Sequence, residues 1–217
     1  MIANELIDLI FFHTDLDTCI IHNNKYIAKK LVDKHSLRFA SQNGHLEVVK
    51  FLCSLDCVDP SANDNCAVKY ASNNGHLEVV KFLCSLDCVD PSAGYNCAVR
   101  MASLNGHLEV VKFLCSLECV DPSYYNNYAI GNASKNGYLE VVKFLCGLKR
   151  VYPLYINRAI IHASGNGHLE VVKFLRDLDC VPSDNYNFAI GYASENGHLE
   201  VVKFLKSLNS LNSVDGS

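Results

Sequence analysis

Cysteine and histidine are the residues of this chain whose type and spacing could form a reactive or metal-binding site. Cysteine pairs spaced four residues apart can ligate zinc when two pairs come together. The sequence has 11 cysteines, including the pairs Cys53/Cys57, Cys84/Cys88 and Cys115/Cys119. The pairing does not persist, because later units carry Arg150 and Arg176 at the corresponding positions. We therefore predict that the cysteines pack as small apolar residues and that the chain holds no metal and no cofactor.

The histidines recur in one local context, which argues against catalysis. The recurring residues are His45, His76, His107, His168 and His198. A catalytic histidine is a singular residue placed beside a nucleophile, whereas Tyr138 replaces this histidine in one copy without other change. The repetition predicts a local role in a turn. The chain also lacks a glycine-rich phosphate loop, a nucleophile elbow and paired carboxylates, so we expect no enzymatic activity.

A ten-residue stretch containing that histidine organises the chain. Asn-Gly-His-Leu-Glu-Val-Val-Lys-Phe-Leu begins at Asn43 and returns five more times, once with Tyr138 in place of histidine. Its glycines lie at 44, 75, 106, 137, 167 and 197, so the steps are 31, 31, 31, 30 and 30 residues. A fixed period of this size is typical of a solenoid, in which each unit packs only on its neighbours.

Each unit reads as two short helices joined by an Asn-Gly turn. In the unit around Gly75, Ala67 and Ala71 mark a first helix whose small residues allow close packing. Asn65 and its counterparts precede this helix, where the side chain could cap free N–H groups. Gly75 takes the left-handed conformation that ends the helix. The second helix then has a wide apolar face, as expected between neighbours.

Composition limits the classes of partner. The chain has 217 residues and a net charge of −4, with no basic run, which disfavours nucleic acid. No apolar run approaches the ~20 residues that span a bilayer, and the N-terminus lacks the basic region of a secretory signal. We therefore expect no nucleic-acid or membrane partner, and a monomer in the cytoplasm (the host cytoplasm if the source is viral).

The second half of each unit is similar to the ankyrin repeat. Gly75 to Leu83 is almost the family consensus, whereas Cys66-Ala67-Val68-Lys69 stands where the family has Thr-Pro-Leu-His. The unit is also shorter than usual and lacks the hairpin turn, a style that resembles the arrays of amoebae and their giant viruses. The resemblance implies an all-α, ankyrin-like solenoid of six helix-turn-helix repeats over residues 35–208, with hairpins short or absent, and a polar tail at 209–217.

The positions that differ between otherwise identical units are the predicted functional positions. The resemblance implies that the loop before the first helix and two positions inside that helix line a concave groove. Tyrosine accumulates there, and Tyr, Met and Arg are enriched at protein interfaces. An alternative is that some of these rings shield the seam between units. The predicted partner-binding residues are Tyr70, Tyr95, Arg100, Met101, Tyr124, Tyr125, Tyr128, Tyr155, His162, Tyr186 and Tyr192.

The N-terminal segment, residues 1–34, has two interpretations. Glu5-Leu6-Ile7 and the stretch through Cys19 are similar to the start of an F-box, which would dock on a Skp-type adaptor of a cullin ubiquitin ligase. The alternative is a helical cap over the open end of the stack. The sequence thus predicts a non-catalytic module that binds a protein of unidentified nature, with a substrate-recognition adaptor of a ubiquitin ligase as the alternative.

Overall fold

The structure, a computed structural model, describes residues 36–148, 153–178 and 186–212. Within these ranges the chain forms twelve α-helices and no β-strand. The helices are α1 (Ser36–Gln42), α2 (Leu46–Cys53), α3 (Ala62–Asn73), α4 (Leu77–Cys84), α5 (Ala93–Leu104), α6 (Leu108–Cys115), α7 (Tyr124–Lys135), α8 (Leu139–Gly147), α9 (Pro153–Gly165), α10 (Leu169–Arg176), α11 (Asn187–Glu195) and α12 (Leu199–Asn212). The predicted N-terminal segment lies outside the described residues.

The helices pair into units, which we number 1 to 6, each with a first helix (odd number) and the second helix that follows it. First helices pack closely on the first helices of neighbouring units, whereas neighbouring second helices contact each other sparsely. The predicted all-α solenoid is confirmed, and the described ranges contain no β-hairpin. None of the described helices is long and apolar enough to cross a bilayer. The last helix, α12, continues to Asn212, four residues beyond the predicted end of the repeats at 208.

The core runs through the whole stack because each unit buries the same residue types. Ala67 and Ala71 are 1% and 0% exposed, and their small size lets adjacent first helices approach. On the second helix, Val80 and Leu83 are both 0% exposed. Burying one such valine or leucine fully stabilises the fold by about 1.5–3 kcal/mol. The repeated sequence is therefore a repeated core, as expected for a solenoid.

The Asn-Gly pair ends each first helix with a Schellman motif. In unit 2, the N–H of Gly75 donates to the carbonyl of Ser72 at 3.3 Å, and the N–H of His76 donates to that of Ala71 at 3.0 Å. Gly75 has φ +79°, a left-handed conformation that glycine adopts without a Cβ penalty. The turn thereby satisfies carbonyl groups that the end of the helix would leave free.

The recurring histidine joins neighbouring units, which corrects the predicted local role. His76 Nε2 donates to the carbonyl of Gln42 in the preceding unit at 2.9 Å. Its ring lies over Gly44, so that a Cβ on this glycine would stand 2.5 Å from His76 Nδ1. Tyr138 keeps the same packing on Gly106, which explains why a ring of another type is accepted there. The glycine is thus required both by its φ and by the ring of the next unit. Sequence inspection of one unit missed this because the partner lies in another unit.

Units 2 to 4 enter their first helices through a left-handed turn. Asn63, Asp64 and Asn65 have φ of 54°, 55° and 60°, and Gly94, Tyr95 and Asn96 of unit 3 have φ of 62°, 61° and 57°. Left-handed residues cost roughly 1–2 kcal/mol each, least for glycine, asparagine and aspartate. The bounds given for α3 and α5 include this turn, and the right-handed helical backbone begins only after it.

The predicted N-cap role of Asn65 and Asn96 is wrong. Both side chains are buried, and the Oδ1 of each accepts a hydrogen bond from a backbone N–H of the following unit, at 2.9 Å. The donors are Asp90 and Asp121. The left-handed conformation turns the amide away from its own helix and toward the next unit. Asparagine is therefore needed here for a link between units.

Units 5 and 6 are one residue shorter and lack this turn. No residue of α9 or α11 has a positive φ. At the register position of the exposed Tyr95, eleven residues before the glycine of the unit, they carry Ile156 and Tyr186, which are 0% and 6% exposed. In unit 5 the missing residue lies between Pro153 and Ala159, whereas in unit 6 the spacing from Pro182 to Ala189 equals that of the longer units. In both units the described residues at the entry are not left-handed, and the side chain at this position is buried.

Candidate binding surface

The open face of the first helices carries the side chains that vary between units. We count register positions back from the glycine of each unit's Asn-Gly turn. Positions nine, five and two residues before this glycine are spaced at helical periodicity and lie on one side of the helix. In α7 these are Tyr128, Asn132 and Lys135, and in α9 the first two are Arg158 and His162. Positions that face the neighbouring helices repeat with little change. We call this stripe, together with the turn before each first helix, the first-helix face.

Two tyrosines stack in the open at the centre of this face. Tyr95 and Tyr124 are 64% and 45% exposed, with ring centroids 5.9 Å apart and ring planes 10° from parallel. Tyr95 holds φ 61°, which is uncommon for an aromatic residue. Strained residues of this kind cluster at functional sites, where they set the direction of a side chain. Two adjacent aromatic rings with this much exposed apolar area are uncommon on a protein surface.

Arginines hold two further tyrosines of the face in place. The guanidinium of Arg38 lies 5.0 Å from the centre of the Tyr70 ring, and that of Arg100 lies 5.2 Å from the Tyr128 ring. Arg100 Nη1 also donates to the carbonyl of Tyr95 at 3.2 Å. Cation–π contacts of this type are worth about 0.5–1 kcal/mol at exposed sites. The rings are therefore partly ordered before any partner arrives.

The predicted residues separate into three groups by exposure. Tyr70, Tyr95, Tyr124 and Tyr192 are exposed, whereas Arg100, Met101, Tyr128, Tyr155 and His162 are half-buried along the same face. Tyr186 is buried, because unit 6 lacks the left-handed turn that exposes this position in unit 3. Burial accordingly raises the pKa of the Tyr186 phenol. Tyr186 belongs to the seam between helices and is not available to a partner; the side chain of Tyr125 lies outside the described part of the structure.

Sequence reasoning missed several residues of the face. Phe188 is 64% exposed, and the charged Arg158 and Lys135 are also exposed. Phe188 and Arg158 occupy the position nine residues before the glycine, where units 2 to 4 have cysteine or tyrosine. Variation at that register position was a usable signal. Lys135 lies two residues before its glycine, at a position that also changes in every unit.

Cys53 and Cys84, at the ends of second helices, are partly buried. Cys57, Cys88 and Cys119 are exposed, which corrects the expectation that the cysteines all pack as small apolar residues. Burial raises the pKa of the Cys53 thiol to about 11 and that of Cys84 to about 12, helped in each case by a cysteine of the next unit. Such thiols stay protonated near neutral pH, whereas the thiolate is the form that attacks substrates and binds metals. Among the described residues, no three histidine, cysteine, aspartate or glutamate side chains cluster as metal ligands would.

A cleft of about 210 Å³ opens on the first-helix face between α7 and α9. Tyr128 and Lys135 line it from α7, and Arg158 and His162 line it from α9. Burial is the main cause that lowers the pKa of His162, and the positive charge of Arg158 adds to it. The cleft therefore combines aromatic, cationic and imidazole groups on the face where the units differ.

Comparisons with known proteins agree on one repeat family. Residues 16–93 match the family model described as ankyrin repeats (3 copies), and residues 158–205 match the one described as ankyrin repeats (many copies). Among 185 matching chains of solved structures is the crystal structure of the human ASB11 ankyrin repeat domain. It is 18% identical, covers 79% of this chain and 82% of that chain, and has a TM-score of 0.63, so the likeness shows the fold alone. No curated protein matches the sequence.

Proposed function

Because this chain is built of ankyrin repeats, we propose that it is a non-catalytic module that binds a partner protein on its first-helix face. The stacked pair Tyr95 and Tyr124 carries this proposal. A large, ordered aromatic surface in a water-exposed position is typical of interface anchors, which lose little conformational freedom on binding. The rings of Tyr70 in unit 2 and Tyr192 in unit 6 are also exposed, and they extend the surface along the stack.

The packing of the two layers supports a concave shape for this face. First helices are in close contact from unit to unit, whereas second helices touch sparsely. A stack whose units are closer on one side curves toward that side, so we expect the first-helix face to be the inner one. A concave surface can contact a partner over several units at once, which accumulates binding energy from many modest contacts.

The interpretation of residues 1–34 as a cap is supported by the extent of the family match. The match to ankyrin repeats begins at residue 16, so it includes the second half of this segment. A degenerate first repeat would cover the apolar end of unit 1. We therefore expect a Skp-type adaptor to be captured neither by the full chain nor by a chain that lacks residues 1–34. Capture by the full chain alone would restore the ubiquitin-ligase alternative.

The experiment begins with partner identification and ends with a matched pair of variants. The full chain is immobilised, proteins from cells of the source organism are captured, and the candidates are identified by mass spectrometry. Calorimetry then compares the chain with Tyr95→Asn/Tyr124→Ala, in which asparagine accepts the left-handed backbone at position 95. We expect this variant to bind the partner at least about tenfold more weakly, as anchors of an interface do.

The matched control removes an exposed apolar side chain from the opposite layer. Leu199, at the start of α12, is 66% exposed, and Leu199→Ala is expected to leave the Kd unchanged. Thermal unfolding and light scattering of both variants check that the fold and the expected monomeric state are kept. A Tyr95/Tyr124 variant that binds as tightly as the original chain would overturn the proposal for this face.

A further inference from the structure

The cleft between α7 and α9 exists because Gly131 has no side chain. Six residues before the glycine of the Asn-Gly turn, units 2, 3 and 5 carry the larger Lys69, Arg100 and Ile161, whereas unit 6 also has a glycine, Gly191. A Cβ on Gly131 would meet only His162 Nδ1, at 3.8 Å. The space that a side chain fills elsewhere is open here, between two units of the first-helix face.

Two cations from different helices reach this space. Lys135 extends from the last turn of α7, and Arg158 lies on the open face of α9. Both charges act on His162. None of the ion pairs found among the described residues involves either cation, and none of the described residues lining the cleft is acidic. The cleft is therefore positively charged in a chain whose net charge is −4.

Asn127, one of the residues that line the cleft, has a buried donor without an acceptor. Asn127 is 3% exposed, and its side-chain Nδ2 has no hydrogen-bond partner among the described residues. Buried amide groups in folded proteins are nearly always hydrogen-bonded, so an orphan of this kind calls for an explanation. An oxygen atom of a ligand that entered the cleft would accept this bond.

We propose that the cleft between α7 and α9 binds the carboxylate of an acidic side chain of the partner protein, an inference that rests on the proposed function. Lys135 and Arg158 supply charge, Asn127 Nδ2 supplies a directed hydrogen bond, and the half-buried rings of Tyr128 and Tyr155 pack against the methylene stem. Charge-assisted bonds to carboxylates are stronger than neutral ones. One cation on each helix suits a single negative charge, whereas phosphate readers gather several donors around a larger charge.

Nuclear magnetic resonance tests this assignment without the partner. The full chain is titrated with the peptide Ac-Gly-Glu-Gly-NH2 to about 50 mM, a concentration that would fill a millimolar site. The side-chain amide of Asn127 and the ring of His162 report binding. We expect both signals to shift with a saturating curve, and the matching peptide with glutamine to bind at least about fivefold more weakly, because it lacks the charge.

Two variants place the binding in the cleft. Gly131→Ile copies the residue that α9 has at this register position and should abolish the shifts by filling the space. Lys135→Gln/Arg158→Gln should also abolish them. Lys81→Gln/Lys112→Gln removes the same charge from the second helices and should bind as the original chain does. Circular dichroism confirms that all three are folded.

Each contrary outcome overturns a defined part of the inference. Equal binding of the glutamate and glutamine peptides, or unchanged binding by Gly131→Ile, removes the carboxylate site. A phosphoserine peptide that binds about tenfold more tightly than the glutamate peptide would make the cleft a phosphate site instead. These results are independent of the Tyr95/Tyr124 experiment, so the cleft could fail while the first-helix face remains the site of partner binding.

Discussion

The backbone before the first helix differs between two groups of units, units 2 to 4 and units 5 and 6. Units 2 to 4 enter through a left-handed turn, which buries an asparagine and exposes the residue before it, such as Tyr95. In unit 6 the equivalent Tyr186 has φ −82° and is buried. The backbone conformation at this position therefore decides whether a tyrosine there is exposed or buried. The comparison teaches that this conformation has to be known before a tyrosine can be assigned to the surface or the core.

The junction between units is the feature that both regions share, and breaking it should have the largest effect. Gly75→Ala in a long unit and Gly167→Ala in a short unit each place a Cβ within 2.6 Å of the next unit's histidine, and both glycines have φ near +78°. We expect each to lower the free energy of unfolding by about 3–4 kcal/mol, combining backbone strain with displacement of the ring. Urea denaturation measures this.

Gly197 provides the control for that prediction. It has φ +77°, but a Cβ there would meet nothing within 4 Å among the described residues. Gly197→Ala should therefore show the backbone strain alone, about 1–2 kcal/mol. If all three substitutions had the same effect, the contact between glycine and the next ring would contribute nothing, and the junction would be weaker than its geometry suggests.

Substitution of the asparagine before the first helix should have different effects on stability in the long and the short units. Asn96→Ala removes the acceptor of the Asp121 N–H and also disfavours the left-handed backbone, so we expect a loss of about 2–3 kcal/mol. Asn157, its counterpart in unit 5, is half-buried and has no positive φ. Asn157→Ala should cost about 0.5 kcal/mol or less. Chemical denaturation of the two variants side by side checks the difference, and equal losses would contradict the distinction between long and short units.

The smallest expected effect is a pH dependence confined to unit 5. The pKa of His162 is lowered in the folded state by burial and by the nearby cations Arg158 and Lys135. The unfolded chain therefore binds the proton more readily, so the stabilisation is complete above about pH 6.5 and is lost as pH falls through the folded pKa. His162→Asn, which copies Asn132 of the preceding unit, should reduce the fall in unfolding free energy on acidification. An unchanged pH profile in this variant would show that His162 does not titrate abnormally.

The sequence predicted the architecture because the fold is specified by local and repeated signals. The period, the small residues of the first helix and the glycine after it can each be recognised from the sequence, and all of them are confirmed. The roles of His76 and Asn65 could not be read in this way. Their partners, Gln42 and Asp90, lie in neighbouring units, so the contact depends on how units stack.

The candidate surface was predicted in outline and missed in detail for the same reason. Variation between units pointed to the first-helix face, and Tyr95 and Tyr124 lie there with exposed rings. Tyr186 is predicted at the surface, but it is buried because its backbone is not left-handed, a conformation that the sequence of the unit does not reveal. The cleft is formed by Gly131 from one unit and Arg158 from the next. Because it lies between two helices, the sequence of a single unit does not predict it.

The ring-on-glycine junction also bears on how an array of this kind can change in length. Every junction presents the same glycine on one side and the same histidine, or once a tyrosine, on the other. A duplicated unit would therefore find compatible neighbours at both ends without any new contact having to arise. Growth and loss of whole units become single genetic steps, and each added copy brings a fresh set of free positions on its first helix. Because the glycine and the ring at the junction stay the same, the other positions of a unit are free to vary.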